Sequence, residues 1–342
     1  MLVEARSKKI AAIVILILIA FVALWLLVPS GIVSDSARFS PDVLAAIPAT
    51  YRPEKVSFAV RVKGLSIPYR VFGVFVMPGE TVSLEAVFDS DGRAARAQVV
   101  AGRLEETGEG RWTWTAPRVT GWYPITITDQ LTGEIIRLNV FVMEPYDPSS
   151  ESVGTFHIGR YPARARRNNP VFARPKGFVQ VTEYNEDVLV SPHFTLGQFV
   201  SKQSAQYPTY LLLQEKLLLK LEAILEKLNE RGIHANTLHI MSGYRTPHVD
   251  ALVGTVETED SPHLYGAAAD VFVDMDEDGY MDDLDGDGEI TSADARVLAD
   301  LVESLREDTL YSTLTGGLGI YGPVPHRGPF IHVDVRGQVV RW

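Results

Sequence analysis

Residues 10–29 read IAAIVILILIAFVALWLLVP, twenty positions without a charged side chain. As a helix such a run is about 30 Å long, the thickness of the hydrocarbon core of a bilayer. It has no polar face, so it does not fit as the surface helix of a globular core. Arg6, Lys8 and Lys9 precede it, and the next basic residue is Arg38. The excess of positive charge on the leading side predicts a single-pass anchor. The N-terminus would be cytoplasmic and everything beyond about residue 30 periplasmic or otherwise outside the membrane. A cleaved signal peptide is the competing reading. The apolar stretch is long for that role, and no A-x-A cleavage site follows it.

The remaining chain is too long for one small domain, and its composition, 46% hydrophobic and 22% charged, is that of a globular protein. No cysteine occurs among the 342 residues. That excludes disulfides, thiolate metal sites and a cysteine nucleophile, and leaves His and carboxylates as the ligands for any transition metal. The formal net charge of −11 argues against a nucleic-acid partner, which needs clustered Lys and Arg. Much of the excess is local: residues 274–294 hold ten acidic side chains and no basic one.

Residues 31–55 read as a tether. Over 56–145, short runs rich in Val, Ile, Thr and aromatics (VSFAVRV, TVSLEAVF, GRWTWTAP, GWYPITITD, IIRLNVFVM) are punctuated by PGE, DSDG and TGE. About seven strands in this space predict an all-β sandwich of immunoglobulin type without its disulfide. Trp112, Trp114 and Trp122 fit core packing better than a carbohydrate platform. Residues 146–189 read as a linker or strap, with Arg160, Arg164, Arg166 and Arg167 on a solvated connector. From residue 190 a third region begins. Thr195 and Gln198 have capping-box spacing, so a short helix is expected there. The leucine periodicity predicts a long helix over 210–231, closed by Gly232. His193 reads as a local hydrogen-bonding residue. Strands are expected at 237–242, 267–274, 317–321 and 330–335. Together these predict a multidomain chain: a transmembrane helix, a β-sandwich, and a C-terminal α+β domain over 190–342 with an antiparallel sheet.

Two segments of that last domain carry the chemistry, Ser261-Pro-His-Leu-Tyr-Gly-Ala-Ala-Ala-Asp270 and Pro329-Phe-Ile-His-Val-Asp334. Zinc accepts His nitrogen and carboxylate oxygen, and a catalytic site keeps one position open. A loop His, a strand Asp seven residues on and a His on a neighbouring strand can build such a triad. The pattern Ser-x-His-x-x-Gly-x-Ala-x-Asp, preceded by Ser242-Gly-Tyr-Arg-Thr-Pro247 and followed by a strand His, resembles the zinc D-alanyl-D-alanine carboxypeptidase family. The subgroup with a His-Val-Asp strand and a closing Arg-Trp is the most similar. The resemblance covers residues 190–342 and implies a peptidase acting on peptidoglycan stem peptides. It implies zinc on His263, Asp270 and His332, Arg245 facing a substrate carboxylate or a developing oxyanion, and Ser261 supporting the ligands from behind. Many members carry a general base three residues before the last ligand, where this chain has Pro329, and others carry a His two residues before it, where this chain has Phe330. The remaining candidates are Asp334, which either activates water or orients a ligand, and His326 in the loop PVPHRGP. A fold that keeps its metal without catalysis, as a wall- or partner-binding module, is the alternative.

The acidic segment 274–294 reads as a calcium insertion. Asp283, Asp285 and Asp287 take positions one, three and five of a twelve-residue loop, with Gly288 at six, the Glu289 carbonyl at seven and Asp294 at twelve. A helix over 292–305 follows, as such a loop requires. Asp274, Asp276, Asp278 and Gly279 begin a second, overlapping loop whose twelfth position is Asp285. The expected role is structural, a brace beside the zinc cleft. A dockerin that recruits a cohesin is not expected, because only one full loop–helix unit is present.

Overall fold

The computed structural model describes residues 47, 49–162, 169–203, 206–252, 261–307 and 313–342. The apolar segment 10–29, Arg164, Arg166 and Arg167 lie outside the described residues. Among those described, no helix is long and apolar enough to cross a membrane. The protein is mostly β, with several antiparallel sheets and few helices, and its C-terminal part combines a mixed sheet with helices.

Nine strands occupy the first region: β1 (Lys55–Val62), β2 (Leu65–Tyr69), β3 (Val71–Val76), β4 (Thr81–Phe88), β5 (Ala95–Val99), β6 (Arg103–Gly108), β7 (Arg111–Thr115), β8 (Gly121–Asp129) and β9 (Ile135–Val142). They form two sheets, ordered β2-β1-β4-β7-β6 and β3-β9-β8-β5. Alternation in the sequence sets which side chains turn inward. Val82 and Leu84 of β4, Trp112 and Trp114 of β7, and Ile125 and Ile127 of β8 are buried, while Ser83, Thr113 and Thr126 between them are more exposed. Trp114 is fully buried and its indole donates to the Ala101 carbonyl at 2.9 Å. Trp112 is buried as well, and Trp122 donates to Asn139 at 3.1 Å, so these rings serve the core. The strand count exceeds the expected seven because the runs VSFAVRVKGLSIPYR and VVAGRLEETG each hold an extra hairpin arm.

The connecting region carries the short strands β10 (Glu144–Pro145), β11 (Ser152–Val153) and β12 (Phe156–His157). These are followed by β13 (Gly177–Val181), β14 (Leu189–Ser191), β15 (Phe194–Thr195) and β16 (Thr209–Leu211). Leu196–Phe199 forms a 3-10 turn closed by the Thr195–Gln198 capping box. The expected helix over 210–231 starts only at Glu215. Thr209–Leu211 pairs with β13 instead, and α1 runs Glu215–Glu230. Apolar on every side, YLLL has no period that separates a buried strand from a buried helix. Helix α1 packs beside the sandwich, with ion pairs Lys63–Glu215 and Lys55–Glu226, both at 2.6 Å. His193 is buried, with Nδ1 2.7 Å from Glu222 and its ring stacked on Tyr51.

The last region builds β17 (His239–Ser242), α2 (Pro247–Leu252), β18 (Ala268–Phe272), α3 (Ser292–Ser304), β19 (Gly317–Tyr321), β20 (Phe330–Asp334) and β21 (Val340–Arg341). The sheet order is β17-β18-β20-β19-β21. The expected antiparallel sheet is in fact mixed. After β20 the chain turns back through Gly337 and lays β21 parallel to β19. Strand β20 lies between β18 and β19, and its Phe330, His332 and Asp334 share one face.

Because Trp114 fills the sandwich core and carries a satisfied indole N–H, Trp114→Ala is expected to destabilise the protein by about 3–5 kcal/mol. Equilibrium urea unfolding checks this, and a loss near zero would place the ring outside the core.

Candidate metal centre

His263 rides on a single 3-10 turn, Pro262–Tyr265, that begins with proline and ends at Gly266 in the left-handed conformation, φ 62°. A β-carbon at Gly266 would lie 2.3 Å from the Leu212 carbonyl, so glycine is required both by φ and by space. Asp270 and His332 are directly paired across β18 and β20. The three side chains are buried and converge. His263 Nε2 is 3.2 Å from Asp270 Oδ1 and 3.1 Å from His332 Nδ1, and His332 Nδ1 is 2.9 Å from Asp270 Oδ1.

The outward-facing nitrogens fix the tautomers. His263 Nδ1 lies 2.7 Å from the Gly243 carbonyl, which can only accept, so Nδ1 carries the proton. His332 Nε2 lies 3.1 Å from Asp334 Oδ2, a carboxylate held far below the usual range. Burial of Asp334 works against that, but its bonds to His332 and Arg336 outweigh it. Nε2 of His332 is therefore the donor. Three lone pairs, two from nitrogen and one from oxygen, then point at one another with no proton between them. A tetrahedral zinc with ligands at 2.0–2.1 Å sets its donors about 3.3 Å apart, close to what is seen here. The donor set and spacing fit such an ion, and each histidine has the outer hydrogen-bond partner that metal-bound histidines use.

Electrostatics agree. Asp270 is held well below the usual carboxylate range; burial opposes this, and the facing histidines His263 and His332 overcome it. Burial pushes the His263 imidazole down, whereas the His332 imidazole is pushed up because the carboxylates Asp270 and Asp334 more than offset its burial. The two directions differ because His263 faces one carboxylate and His332 stands between two. A cation at the centre would supply the positive charge that this pair of carboxylates attracts.

Asp334 is saturated. Beyond His332 it accepts from the backbone of Gly317 at 2.8 Å and Arg336 at 2.9 Å, and from Arg336 Nε at 2.7 Å. It lies across the His332 ring from the three convergent donors. Arg245 bridges Asp270 Oδ2 at 3.4 Å and Asp250 at 3.5 Å. Ser261 is half-buried at the N-cap of the 3-10 turn, where its carbonyl accepts from Leu264. His326 is exposed in the turn bracketed by Val324 and Arg327.

The acidic insertion gathers into two groups, Asp274 with Asp276 and Asp282, and Asp283 with Asp285 and Asp294. Asp285 belongs to the second group alone, and Asp282, ninth from Asp274, completes the first. The side chains of Asp278 and Asp287 are in neither group and accept from the backbone two residues on. Asp294 is buried, caps α3 with Thr291, and accepts from Leu284 and Asp285. The Asp282 carboxyl is pushed up by burial and by the neighbouring Asp276, Asp274 and Asp278.

Sequence reasoning missed the parts played by five residues. Gly316, Gly317 and Gly319 have no room for a β-carbon, the first two against Asp334 and the third against Trp342. The triplet pattern GGLG was the available signal. Trp342 sets its ring 5.1 Å from His332. Lys220, a lysine in the apolar stripe of α1, donates to the Asp334 carbonyl at 2.8 Å.

Asp334→Asn is expected to weaken metal binding by about 10–100-fold, read by chelator competition, since it removes the charge that holds the His332 tautomer. Unchanged affinity would refute that role. Burial lowers the Lys220 ammonium to about 8, against the pull of Asp334. The unfolded chain keeps that proton to higher pH, so stability should rise between about pH 8 and 10, by up to about 3 kcal/mol. Urea unfolding at both pH values should show this rise in the native protein and not in Lys220→Met.

No protein-family model matches the chain, and no curated relative matches it. One solved structure that it matches is a nucleoside hydrolase-related hypothetical protein from Saccharophagus degradans that is associated with carbohydrate metabolism. The two are 14% identical over 26% of each chain with a TM-score of 0.21, so the chain spans about a quarter of that protein and the likeness carries no argument.

Proposed function

We propose that this protein is a membrane-anchored zinc peptidase that hydrolyses peptide bonds in the stem peptides of peptidoglycan, as a D,D- or L,D-carboxypeptidase or endopeptidase. The observation that carries the reading is the convergence of His263 Nε2, His332 Nδ1 and Asp270 Oδ1 within 3.2 Å, with both imidazole protons turned outward. Zinc bound there would supply Lewis-acid polarisation of a carbonyl and activation of water at neutral pH. The choice of peptidoglycan rests on the resemblance of the three motifs to the carboxypeptidase family, and the extracytoplasmic location on the apolar segment 10–29.

In this reading the side chains divide the work. Asp334 holds the His332 ring and its tautomer. Arg245 steadies Asp270 through its second oxygen and keeps positive charge beside the centre, where an oxyanion would develop. Ser261 supports the turn that carries His263. The nine-stranded sandwich is an immunoglobulin-like spacer. The two acidic groups bind calcium: Asp274, Asp276 and Asp282 hold one ion, and Asp283, Asp285 and Asp294 hold the other. Asp278, Asp287 and the Glu289 carbonyl are within the same loops. Without cations these carboxylates repel one another.

One observation favours a second reading, a metal-holding wall- or partner-binding module without turnover. Asp334, the nearest base candidate, is fully engaged on the far edge of His332, and His326 sits on an exposed turn. Turnover separates the two. The full-length zinc-loaded protein should release free amino acids or shortened peptides from purified wall fragments, and His332→Ala should fall to the level of the metal-free protein. No release from either cross-linked or uncross-linked fragments would leave the non-catalytic module.

A further inference from the structure

Around the metal centre, three arginines already have carboxylate partners. Arg245 is held by Asp250 and Asp270, Arg336 by Asp334, and Arg341 by Glu303. Arg327 differs. Its guanidinium lies 4.3 Å over the ring of Phe330, it forms no ion pair among the described residues, and its Nη1 is buried without a hydrogen-bond partner. A buried guanidinium nitrogen left unpaired is costly, and a carboxylate in its fork would satisfy it.

Its surroundings point the same way. Phe330 and His332 are two residues apart on one face of β20, about 7 Å along the strand. Tyr321 stacks on Phe330 at 4.5 Å and 1°. Its hydroxyl accepts from the Trp342 indole at 2.6 Å, and the Trp342 ring reaches His332 at 5.1 Å. Phe330, Tyr321 and Trp342 thus form a wall of rings from Arg327 to the metal ligands, and Trp342 is half exposed. The turn that carries Arg327 is fixed by reciprocal backbone bonds with Val324 at 2.8 and 3.0 Å.

We propose that Arg327 is the specificity-determining residue of this site, binding a carboxylate of an anionic peptide whose chain lies along the rings of Tyr321 and Trp342, with buried Phe330 beneath the guanidinium. Arg327 lies over Phe330, itself about 7 Å along β20 from His332, and at about 3.3–3.6 Å per residue that spacing corresponds to a carboxylate about two residues from the bond cut. Either the end of the leaving peptide or an acidic side chain can supply it. This inference rests on the peptidase reading.

The test compares four short peptides sharing one scissile bond, with a free or amidated C-terminus and with Glu or Gln two residues from the bond, on the full-length zinc-loaded protein. The native protein should prefer one acidic form by about 10–100-fold in kcat/KM, carried by KM, and the pair that shows the preference identifies the carboxylate. Arg327→Gln should bring that ratio close to one with zinc content unchanged, and Arg327→Lys should recover part of it. Equal use of all four peptides by the native protein, or a preference that survives in Arg327→Gln, would overturn the proposal. Failure to cut any of the four would instead remove the peptidase reading on which it rests.

Discussion

The hydrogen bond from His332 Nε2 to Asp334 is the interaction on which the centre depends. It decides which edge of the ring offers a lone pair, and so whether three donors or two converge. Much of the surrounding structure serves it. Gly316 and Gly317 clear the space that Asp334 occupies, Gly317 and Arg336 bond its carboxylate, and Lys220 bonds its backbone carbonyl. A buried carboxylate with this many donors stays ionised, and an ionised acceptor keeps the proton on the far nitrogen.

The same bond explains why Asp334 is ill placed as a base. A strand puts residues two apart on one face, so His332 and Asp334 were bound to meet. That alternation leaves open whether the carboxylate reaches past the ring to the convergent donors or stops at its edge. Here the ring turns its Nδ1 to the centre and its Nε2 to the aspartate, so the imidazole itself stands between them. Two residues next to each other on one face therefore act in series.

Much of the fold was legible in the sequence because alternation is local. The inward positions of β4, β7 and β8 follow from residue spacing, and β19 runs over 317–321 as its pattern indicates. The convergence of His263, Asp270 and His332 was legible from motif chemistry. What escaped has a different physical origin. YLLL, just ahead of α1, has no periodicity to read. The parallel placement of β21 depends on where a returning chain finds free edge groups on β19. Lys220 escaped because nothing in a helical pattern announces a carbonyl waiting at its tip. Asp282 stands at the ninth position from Asp274, a ligand position of such loops that was passed over because the twelfth position drew the attention to Asp285.

Helix α1 touches both halves of the molecule within one stretch of four turns. Glu215 and Glu226 pair with lysines of the sandwich, and Lys220 between them bonds the strand that carries His332. Surface ion pairs contribute little energy each, so their effect here is mechanical. The helix meets the sandwich at two points and the strand of His332 at a third. A displacement of the sandwich would be passed along that helix to Asp334, and with it to the orientation of the His332 ring. The sandwich and the strand that carries His332 are thereby held against one helix and share its alignment.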